Sequence, residues 1–283
     1  MTNSYLNIVT FLLTTLFYYL ALKPALPYTM YKNKEEYKNY ISNSYMYLAI
    51  YVLLVIVIQF IVNSSIIATN CGGNITENMG AAGVLTFLPW TLIFGVLVLI
   101  LTIFPGFKSA FSDVVGYYYV SGQATKLLTE LLKNQEIEKK MTEETDMTPE
   151  KKEALETAAD AIIKICGNTS IIINQIVPSN FDNYWKILTP LMKDKYQVAG
   201  PETDNIQNEL FELVVTRDNV GEAMWYLYTG FLLVSLVQLK ISLRGCKSNT
   251  STMIKNYQTY QKEQEAAQQK QNIATNTTYT ITS

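Results

Sequence analysis

Residues 83–104 read GVLTFLPWTLIFGVLVLILTIF, a run of 22 residues without a charged side chain. A helix needs about 20 mostly apolar residues to cross the hydrocarbon core of a bilayer, because backbone polar groups must bond within the helix there. The run therefore predicts a membrane-spanning helix. Pro89 and Gly95 are expected to bend it, which neighbouring helices can accommodate.

Three further apolar stretches lie on either side of this run, at residues 5–22, 45–68 and 223–239. Gln59 lies in the middle of the second stretch, and we expect it to bond a neighbouring helix rather than line a pore. Charged residues make up only 16% of the chain, against about 25% in ordinary soluble domains. The sequence therefore predicts an all-α fold, a polytopic helical membrane protein with about four transmembrane helices.

Composition divides the chain into six segments with different expected roles. They are an N-terminal anchor helix and basic loop (1–44), a transmembrane helical hairpin (45–104), an interfacial segment (105–122), a soluble helical domain between the third and fourth spans (123–221), a transmembrane helix (222–247) and a disordered polar tail (248–283).

Helical periodicity supports the domain assignment. An amphipathic helix is expected over 123–140, a second helix over 149–166, another after Ser179 and a further one over 203–217. The helix over 123–140 has five apolar residues on one side, namely Leu127, Leu128, Leu131, Leu132 and Ile137. The tail is rich in Gln, Asn, Thr and Lys, which predicts disorder apart from a short helix over 258–269.

Lysines are distributed unevenly among the connecting segments. The connection 23–44 holds four lysines, whereas the loop between the second and third spans holds no Lys or Arg. Positive charge in short loops marks the cytosolic side, so the loop around Cys71 and Asn74 is expected to be extracytosolic. Asn74 begins an Asn-Ile-Thr sequon and is a glycosylation candidate. The helical domain is then cytosolic. Four spans place the C-terminus on the extracytosolic side, although Lys240, Arg244 and Lys247 follow the last span. The alternative is that residues 5–22 do not fully cross the membrane.

Residues 105–122 follow the uncharged run and combine glycines, serines and aromatic residues. Phe107 and Phe111 lie four residues apart, with Lys108 between them. Aromatic rings favour the membrane interface, and a lysine can extend to phosphate headgroups. We expect these three residues to contact the membrane surface. A half-entering helix over 114–120 is the alternative.

Composition also excludes several classes of function. The chain has no histidine and no Cys-x-x-Cys spacing, which removes histidine-dependent hydrolysis and histidine-ligated zinc. The net charge of -2 gives no reason to expect nucleic-acid binding. We expect no metal, no cofactor and no enzymatic activity. A lipid-modifying enzyme could draw its acid–base pair only from Lys108, Asp113, Asp218 and Glu222, and Asp218 is more simply assigned to cap the last span.

The three cysteines lie far apart in the sequence. In the expected topology Cys71 and Cys246 share the extracytosolic face, each just outside a span. This predicts a disulfide bond between them, whereas Cys166 is expected to remain reduced in the cytosolic domain.

Three strings carry a resemblance to a known family: NSSIIATNCGG (63–73), TFLPWTLIFGVLVLILTIFPGFKSAFSDVVGYYYV (86–120) and VVTRDNVGEAMWYLYTG (214–230). They resemble multi-pass membrane proteins of giant nucleocytoplasmic DNA viruses, of the mimivirus and phycodnavirus type. The resemblance covers most of residues 45–235 and brings no catalytic residues. It implies location in the virion internal membrane or in the host endomembrane from which that layer is made.

The leading hypothesis is therefore a structural viral membrane protein. Its expected partners are the lipid bilayer, capsid or other virion membrane proteins, and a second copy of itself, with no nucleic acid. The alternative is a viral channel, a transporter or a membrane-remodelling protein of the host endomembrane. A transport pathway normally shows ionisable residues at bilayer depth, and these spans offer only Asn7, Gln59 and Gln238 as strongly polar groups.

Overall fold

A computed structural model of the 283-residue chain describes residues 5–71, 75–132, 168–244 and 250–275. Every regular element in these ranges is a helix. The one extended pairing recorded there is an isolated antiparallel bridge between Leu132 and Met192. The predicted all-α fold is therefore confirmed.

The N-terminal part of the chain is built from long apolar helices. A π-helical turn, Tyr18–Leu22, continues the first helix, and a second π-helical segment, Trp90–Gly95, joins the fourth to the fifth. The helices are α1 (Leu6–Phe17), α2 (Tyr28–Lys32), α3 (Lys34–Cys71), α4 (Ile75–Pro89) and α5 (Val96–Ile103).

Shorter helices follow and lead into one very long helix. A 3-10 turn, Pro105–Lys108, begins this part, and a π-helical turn, Ser112–Gly116, lies between its first two helices. The helices are α6 (Ser109–Phe111), α7 (Tyr117–Leu131), α8 (Thr169–Gln175), α9 (Phe181–Leu188), α10 (Asp194–Gln197), α11 (Pro201–Leu243) and α12 (Thr250–Thr275).

Three helical stretches are long and apolar enough to cross a membrane, by length and composition: Lys34–Cys71, Asn78–Ile103 and Pro201–Leu243. The apolar helix Leu6–Leu22 is shorter. Its 17 residues rise about 25 Å, less than the roughly 30 Å of a hydrocarbon core. The protein is therefore an integral membrane protein, and a complete fourth span at residues 5–22 stays a prediction.

Aromatic rings fill the centre of the membrane bundle. Five rings from four helical segments are almost completely buried against one another: Phe11, Tyr51, Trp90, Phe94 and Tyr226. A π-helical segment, Trp90–Gly95, lies in the run 83–104 at the position where Pro89 and Gly95 were expected to bend the helix. Proline lacks the N–H of a regular turn, and the wider π-helical turn accommodates its absence.

Buried amide side chains link the helices of the membrane bundle at the end that lies farther from the helical domain than the aromatic rings do. Asn7 donates to the Asn63 side chain at 2.7 Å, and Asn63 donates to Thr86 at 2.8 Å. Gln59 donates to the backbone oxygen of Asn7 at 3.0 Å and approaches the Thr10 hydroxyl at 3.3 Å. The prediction that Gln59 bonds a neighbouring helix is confirmed. Such bonds contribute about 0.6–2 kcal/mol each to helix association in membranes.

A separate core forms the helical domain. The leucines predicted to share one helix face are buried in it, namely Leu127, Leu128, Leu131 and Leu132. Tyr28 of α2 also lies in this core, packs on Phe181 and Phe211, and donates to Asp182 at 2.9 Å. The domain therefore includes part of the N-terminal connection. Ile137 and the helix predicted over 149–166 lie outside the described residues.

Helix α11 joins the two cores without a break. Residues 203–217 and 223–239 are helical and the latter lie in a helix of spanning length, as predicted. The predicted break between them and the cap at Asp218 are wrong, because α11 runs through all 43 residues from Pro201 to Leu243. No proline interrupts this sequence. Asp218 forms an ion pair with Lys108 instead of capping a helix.

The tail differs in part from its prediction. Disorder was expected over 248–283 apart from a short helix over 258–269, and that stretch is helical. The helix is longer than expected, because Thr250–Thr275 form α12, whose described side chains from Tyr257 to Gln269 are exposed. Gln, Glu, Lys and Ala are good helix formers, and a helix of this length can form without burying an apolar face.

Candidate functional site

Four charged side chains meet where the membrane bundle joins the helical domain. Lys23 Nζ lies 2.5 Å from Glu222 Oε1, and Lys108 Nζ lies 2.7 Å from Glu222 Oε2 and 3.0 Å from Asp218 Oδ2. The side chains are only 9–16% exposed. We refer to Lys23, Lys108, Asp218 and Glu222 as the ion-pair cluster.

Local structure brings each member to the same level. Lys23 ends the π-helical turn after α1, and its backbone N–H donates to Tyr18 at 2.7 Å. Lys108 ends the 3-10 turn that follows α5. Asp218 and Glu222 lie one turn apart on α11, so they share a helix face.

Glu222 has donors on both carboxylate oxygens. Oε1 accepts from Lys23 and, at 3.1 Å, from the Tyr19 hydroxyl, and Oε2 faces Lys108. The ammonium of Lys23 also lies 5.0 Å from the centre of the Tyr19 ring. A buried charge is tolerated only when it is paired and hydrogen-bonded, and this carboxylate meets that condition.

The two lysines respond differently to the same surroundings. Burial alone would lower the pKa of Lys108, but Glu222 and Asp218 outweigh burial and raise the pKa above its usual value. Burial lowers the pKa of Lys23, and Glu222 offsets only part of that effect. Because the folded-state pKa of Lys108 is raised, its contribution to stability is complete at neutral pH and is lost only as the pH rises through that pKa.

Arg217, one residue before Asp218, fixes α8 against α11. Its side chain is fully buried, and its guanidinium donates to the Ile173 backbone oxygen, to the Ile176 backbone oxygen at 3.0 Å and to Asn174 Oδ1 at 3.2 Å. Asp113 Oδ1 lies 3.8 Å from the same guanidinium. Backbone oxygens at a helix C-terminus lack partners within the helix, so Arg217 closes this end of α8.

Two glycines allow the π-helical turn Ser112–Gly116 to lie directly on α11. A Cβ at Gly116 would stand 2.5 Å from the backbone oxygen of Arg217, and one at Gly221 would stand 2.7 Å from the backbone nitrogen of Ser112. Any larger residue would separate the two backbones. The ion-pair cluster and the Arg217 contacts therefore depend on this close approach.

A cavity of about 430 Å³ opens beside the cluster. We refer to it as the boundary cleft. All four members of the ion-pair cluster line it, together with Asp113. Its other walls come from α3, from α5 and the segment after it, and from the helical domain, and they include Tyr37, Tyr40, Ile41, Ser44, Leu48, Leu101 and Gly106.

The interfacial segment differs in part from its prediction. The expected headgroup contact of Lys108 is corrected, because two carboxylates hold its ammonium inside the protein. Phe107 is exposed, and its backbone oxygen accepts from Trp225 Nε1 at 2.9 Å. The ring of Phe111 packs 5.0 Å from that of Trp225. Lipid contact of Phe107 and Phe111 stays a prediction.

The second half of this segment packs in part against the rest of the protein. Ser112, Gly116 and Val120 are buried, as part of the packing on α11 and in the domain core. Val114, Tyr118 and Tyr119 are exposed, so the expected position at the membrane surface and the alternative of a half-entering helix over 114–120 stay predictions. Some of the glycines and serines of 105–122 are the small residues that let this segment pack closely on α11.

In the part of the chain that the structure describes, no three His, Cys, Asp or Glu side chains are grouped so that they could hold a metal ion. Each lysine of the ion-pair cluster already contacts a carboxylate. Asn74 lies outside the described residues, and its glycosylation stays a prediction.

Cys71 forms a disulfide bond. Cys166 and Cys246 both lie outside the described residues, so the predicted pairing of Cys71 with Cys246 remains to be tested. Cys71 lines a small pocket with residues at the end of α11, namely Ile241, Ser242 and Arg244. In the sequence, Cys246 follows Arg244 by two positions.

We expect Cys246→Ser to free the Cys71 thiol for alkylation under non-reducing conditions, whereas Cys166→Ser leaves Cys71 protected. Mass mapping of alkylated peptides measures both variants. Protection of Cys71 in Cys246→Ser, or its loss in Cys166→Ser, would show that the pairing is wrong.

Sequence reasoning missed two members of the site. Lys23 and Tyr19 reach Glu222 across about 200 positions of sequence, 199 and 203 residues apart. The available signal was Glu222 itself, an acidic residue beside an apolar span, since such a residue requires a cationic partner.

No protein-family model, no curated protein and no solved structure matches the chain. The fold and the site alone therefore define the class. The protein is an all-α integral membrane protein with a helical domain held on its membrane bundle by a buried ion-pair cluster.

Proposed function

We propose that the protein is a structural integral membrane protein that holds its helical domain in a fixed position at the bilayer surface. The proposal rests on the junction between the membrane bundle and the helical domain. Helix α11 crosses it without a break, and the ion-pair cluster joins the ends of α1 and α5 to that helix. A domain attached by a flexible linker would need none of these contacts.

The more specific form of the proposal is a structural protein of a giant DNA virus, located in the virion internal membrane. Its helical domain contacts capsid, core or other membrane proteins, or a second copy of the chain. Support for the viral part comes from the three sequence strings at 63–73, 86–120 and 214–230. The comparisons with known proteins add nothing to it.

Two measurements on the full chain test membrane integration and topology. We expect the protein to stay with the membrane pellet after an alkaline carbonate wash. In sealed vesicles, protease added outside should cleave the helical domain at Lys193 or Lys195 while a C-terminal tag survives, or the reverse for vesicles of opposite orientation. Release by carbonate, or loss of both the domain and the tag to protease added on one side, would overturn the proposal.

The viral assignment has a separate test. We expect the protein to be an abundant component of purified virions of the source virus and to be released when detergent dissolves the internal membrane. Detection only in the membranes of infected cells would contradict a structural role in the virion.

A further inference from the structure

The boundary cleft lies where α11 passes from the domain core to the membrane core. One wall belongs to the N-terminal half of α3 and carries three tyrosines, Tyr37, Tyr40 and Tyr45. Aliphatic surface comes from Leu48 and Leu101. The volume of about 430 Å³ falls in the range of small-ligand sites, roughly 300–1,000 Å³. The cleft is therefore large enough for the polar end of an amphiphile and part of its chain.

The charged groups of the lining do not balance. Three carboxylates and two lysines line the cleft, so its formal net charge is -1. Glu222 holds the ammonium of Lys23, while Glu222 and Asp218 together hold that of Lys108. Both ammonium groups are therefore already paired inside the protein, and a ligand that enters the cleft meets an excess of negative charge.

Asp113 supplies this excess charge. Its side chain is 38% exposed, and its Oδ1 accepts from the Ser112 hydroxyl at 3.3 Å. The guanidinium of Arg217 lies 3.8 Å from Oδ1, but it donates its hydrogen bonds to α8 and the residue that follows α8. Among the described residues, no lysine or arginine donates a hydrogen bond to this carboxylate. A carboxylate has about four acceptor positions, so Asp113 keeps open positions for a cation.

The tyrosine wall favours the same kind of ligand. The rings of Tyr37 and Tyr40 stack with their centroids 6.3 Å apart. The faces of aromatic rings attract ammonium groups. A hydrogen bond from an ammonium to a carboxylate is charge-assisted and about twice as strong as a neutral one. The cleft thus offers two favourable contacts to an ammonium, and its aliphatic residues suit an alkyl chain.

We propose that the boundary cleft binds one long-chain amine, an amphiphile with a single ammonium group and an alkyl chain. The ammonium donates to the Asp113 carboxylate and lies beside the rings of Tyr37 and Tyr40. The alkyl chain runs along Leu48 and Leu101 toward the bilayer. The protein then holds a cationic lipid at the junction between its membrane bundle and its helical domain.

Two pairs of variants separate the charge of the cleft from its shape. Asp113→Asn removes the charge and keeps the backbone oxygen to which Asn174 donates, while Glu209→Gln removes an exposed carboxylate elsewhere on α11. A Cβ built at Gly106, which lines the cleft, or at Gly122, which is exposed on α7, meets no atom within 4 Å. Gly106→Trp therefore narrows the cleft, and Gly122→Trp adds the same ring outside it.

The test measures ligand retained by the full-length protein in a neutral detergent at neutral pH, by native mass spectrometry. The probes are dodecylamine, dodecanol and dodecanoate, which share one chain and differ in charge. We expect one retained dodecylamine per chain and weaker retention of the other two. Asp113→Asn and Gly106→Trp should each weaken the binding of dodecylamine roughly tenfold, a loss of about 1.4 kcal/mol. Glu209→Gln and Gly122→Trp should bind it as the unsubstituted protein does.

Dodecanol provides the control for structural damage, because it lacks the ammonium. Asp113→Asn should retain dodecanol as well as the unsubstituted protein does, and circular dichroism should show unchanged helical content in every variant. An equal loss of dodecanol and dodecylamine in Asp113→Asn would overturn the assignment of Asp113 as the ammonium partner.

Three further outcomes would overturn the proposal. They are retention of dodecanoate as strong as that of dodecylamine, equal retention of dodecylamine by Gly106→Trp and Gly122→Trp, and complete displacement of dodecylamine by water-soluble ethylamine. The last outcome would identify a soluble amine, rather than a lipid, as the ligand. None of these results depends on whether the protein is a virion component.

Discussion

Replacing Glu222 with Gln is expected to reduce the stability of the folded protein by about 3–5 kcal/mol, because both lysines of the cluster lose a carboxylate while they stay buried. Lys23 loses its only carboxylate contact among the ion pairs of the described residues, whereas Lys108 keeps Asp218. Thermal unfolding in detergent measures the effect. The midpoint should fall by several degrees or more, since about 1 kcal/mol corresponds to roughly 2–4 °C in chains of this size.

A second substitution distinguishes charge imbalance from general damage. Lys23→Gln added to Glu222→Gln returns the net charge of the cluster to zero, so the double variant should unfold at a higher temperature than Glu222→Gln alone. Glu212, an exposed residue on α11, supplies the matched control, because Glu212→Gln should leave the midpoint almost unchanged. Equal midpoints for Glu222→Gln and Glu212→Gln would show that the ion pairs contribute nothing.

Arg217→Met is expected to have a comparable effect, about 3–5 kcal/mol, by removing the guanidinium that closes α8. The backbone oxygens of Ile173 and Ile176 then lose a buried donor, and each unsatisfied group costs about 1–3 kcal/mol. Hydrogen exchange followed by mass spectrometry reports the local consequence. Amides of Thr169–Gln175 should exchange much faster, while those in the apolar part of α3 keep their protection.

Lys126→Met, on the exposed side of α7, is the control for removing a cation. In this variant, amide exchange in Thr169–Gln175 should be as slow as in the unsubstituted protein. Unchanged exchange of the same segment in Arg217→Met would mean that α8 is held by its apolar contacts alone, chiefly Ile172 and Ile173.

Hydropathy and periodicity predicted the features of the fold that depend on residues close together in the sequence. The uncharged run at 83–104 and the stretch at 45–68 lie in helices of spanning length, and the spacing of Leu127, Leu128 and Leu131 identified a buried helix face. These signals are local, because a helix presents residues three and four positions apart on one side. Fold class therefore followed from the sequence.

The candidate site could not be predicted from the sequence, because its contacts join segments that lie far apart along the chain. Lys108 stands between two phenylalanines after a span, a pattern that also fits headgroup contact, and only the position of α11 shows that Asp218 and Glu222 take its ammonium. Asp218 was assigned to a helix cap. In the folded protein the helix continues through it, and its carboxylate pairs with Lys108.

Because α11 is unbroken, a change in the tilt of its membrane part also moves the helical domain. Residues 201–217 extend about 26 Å beyond the ion-pair cluster. Helices adjust their tilt when the thickness of the surrounding hydrocarbon changes. A tilt change of about 10° would swing the far end of this extension sideways by roughly 5 Å, and the thickness of the membrane would thus be converted into the lateral position of the domain.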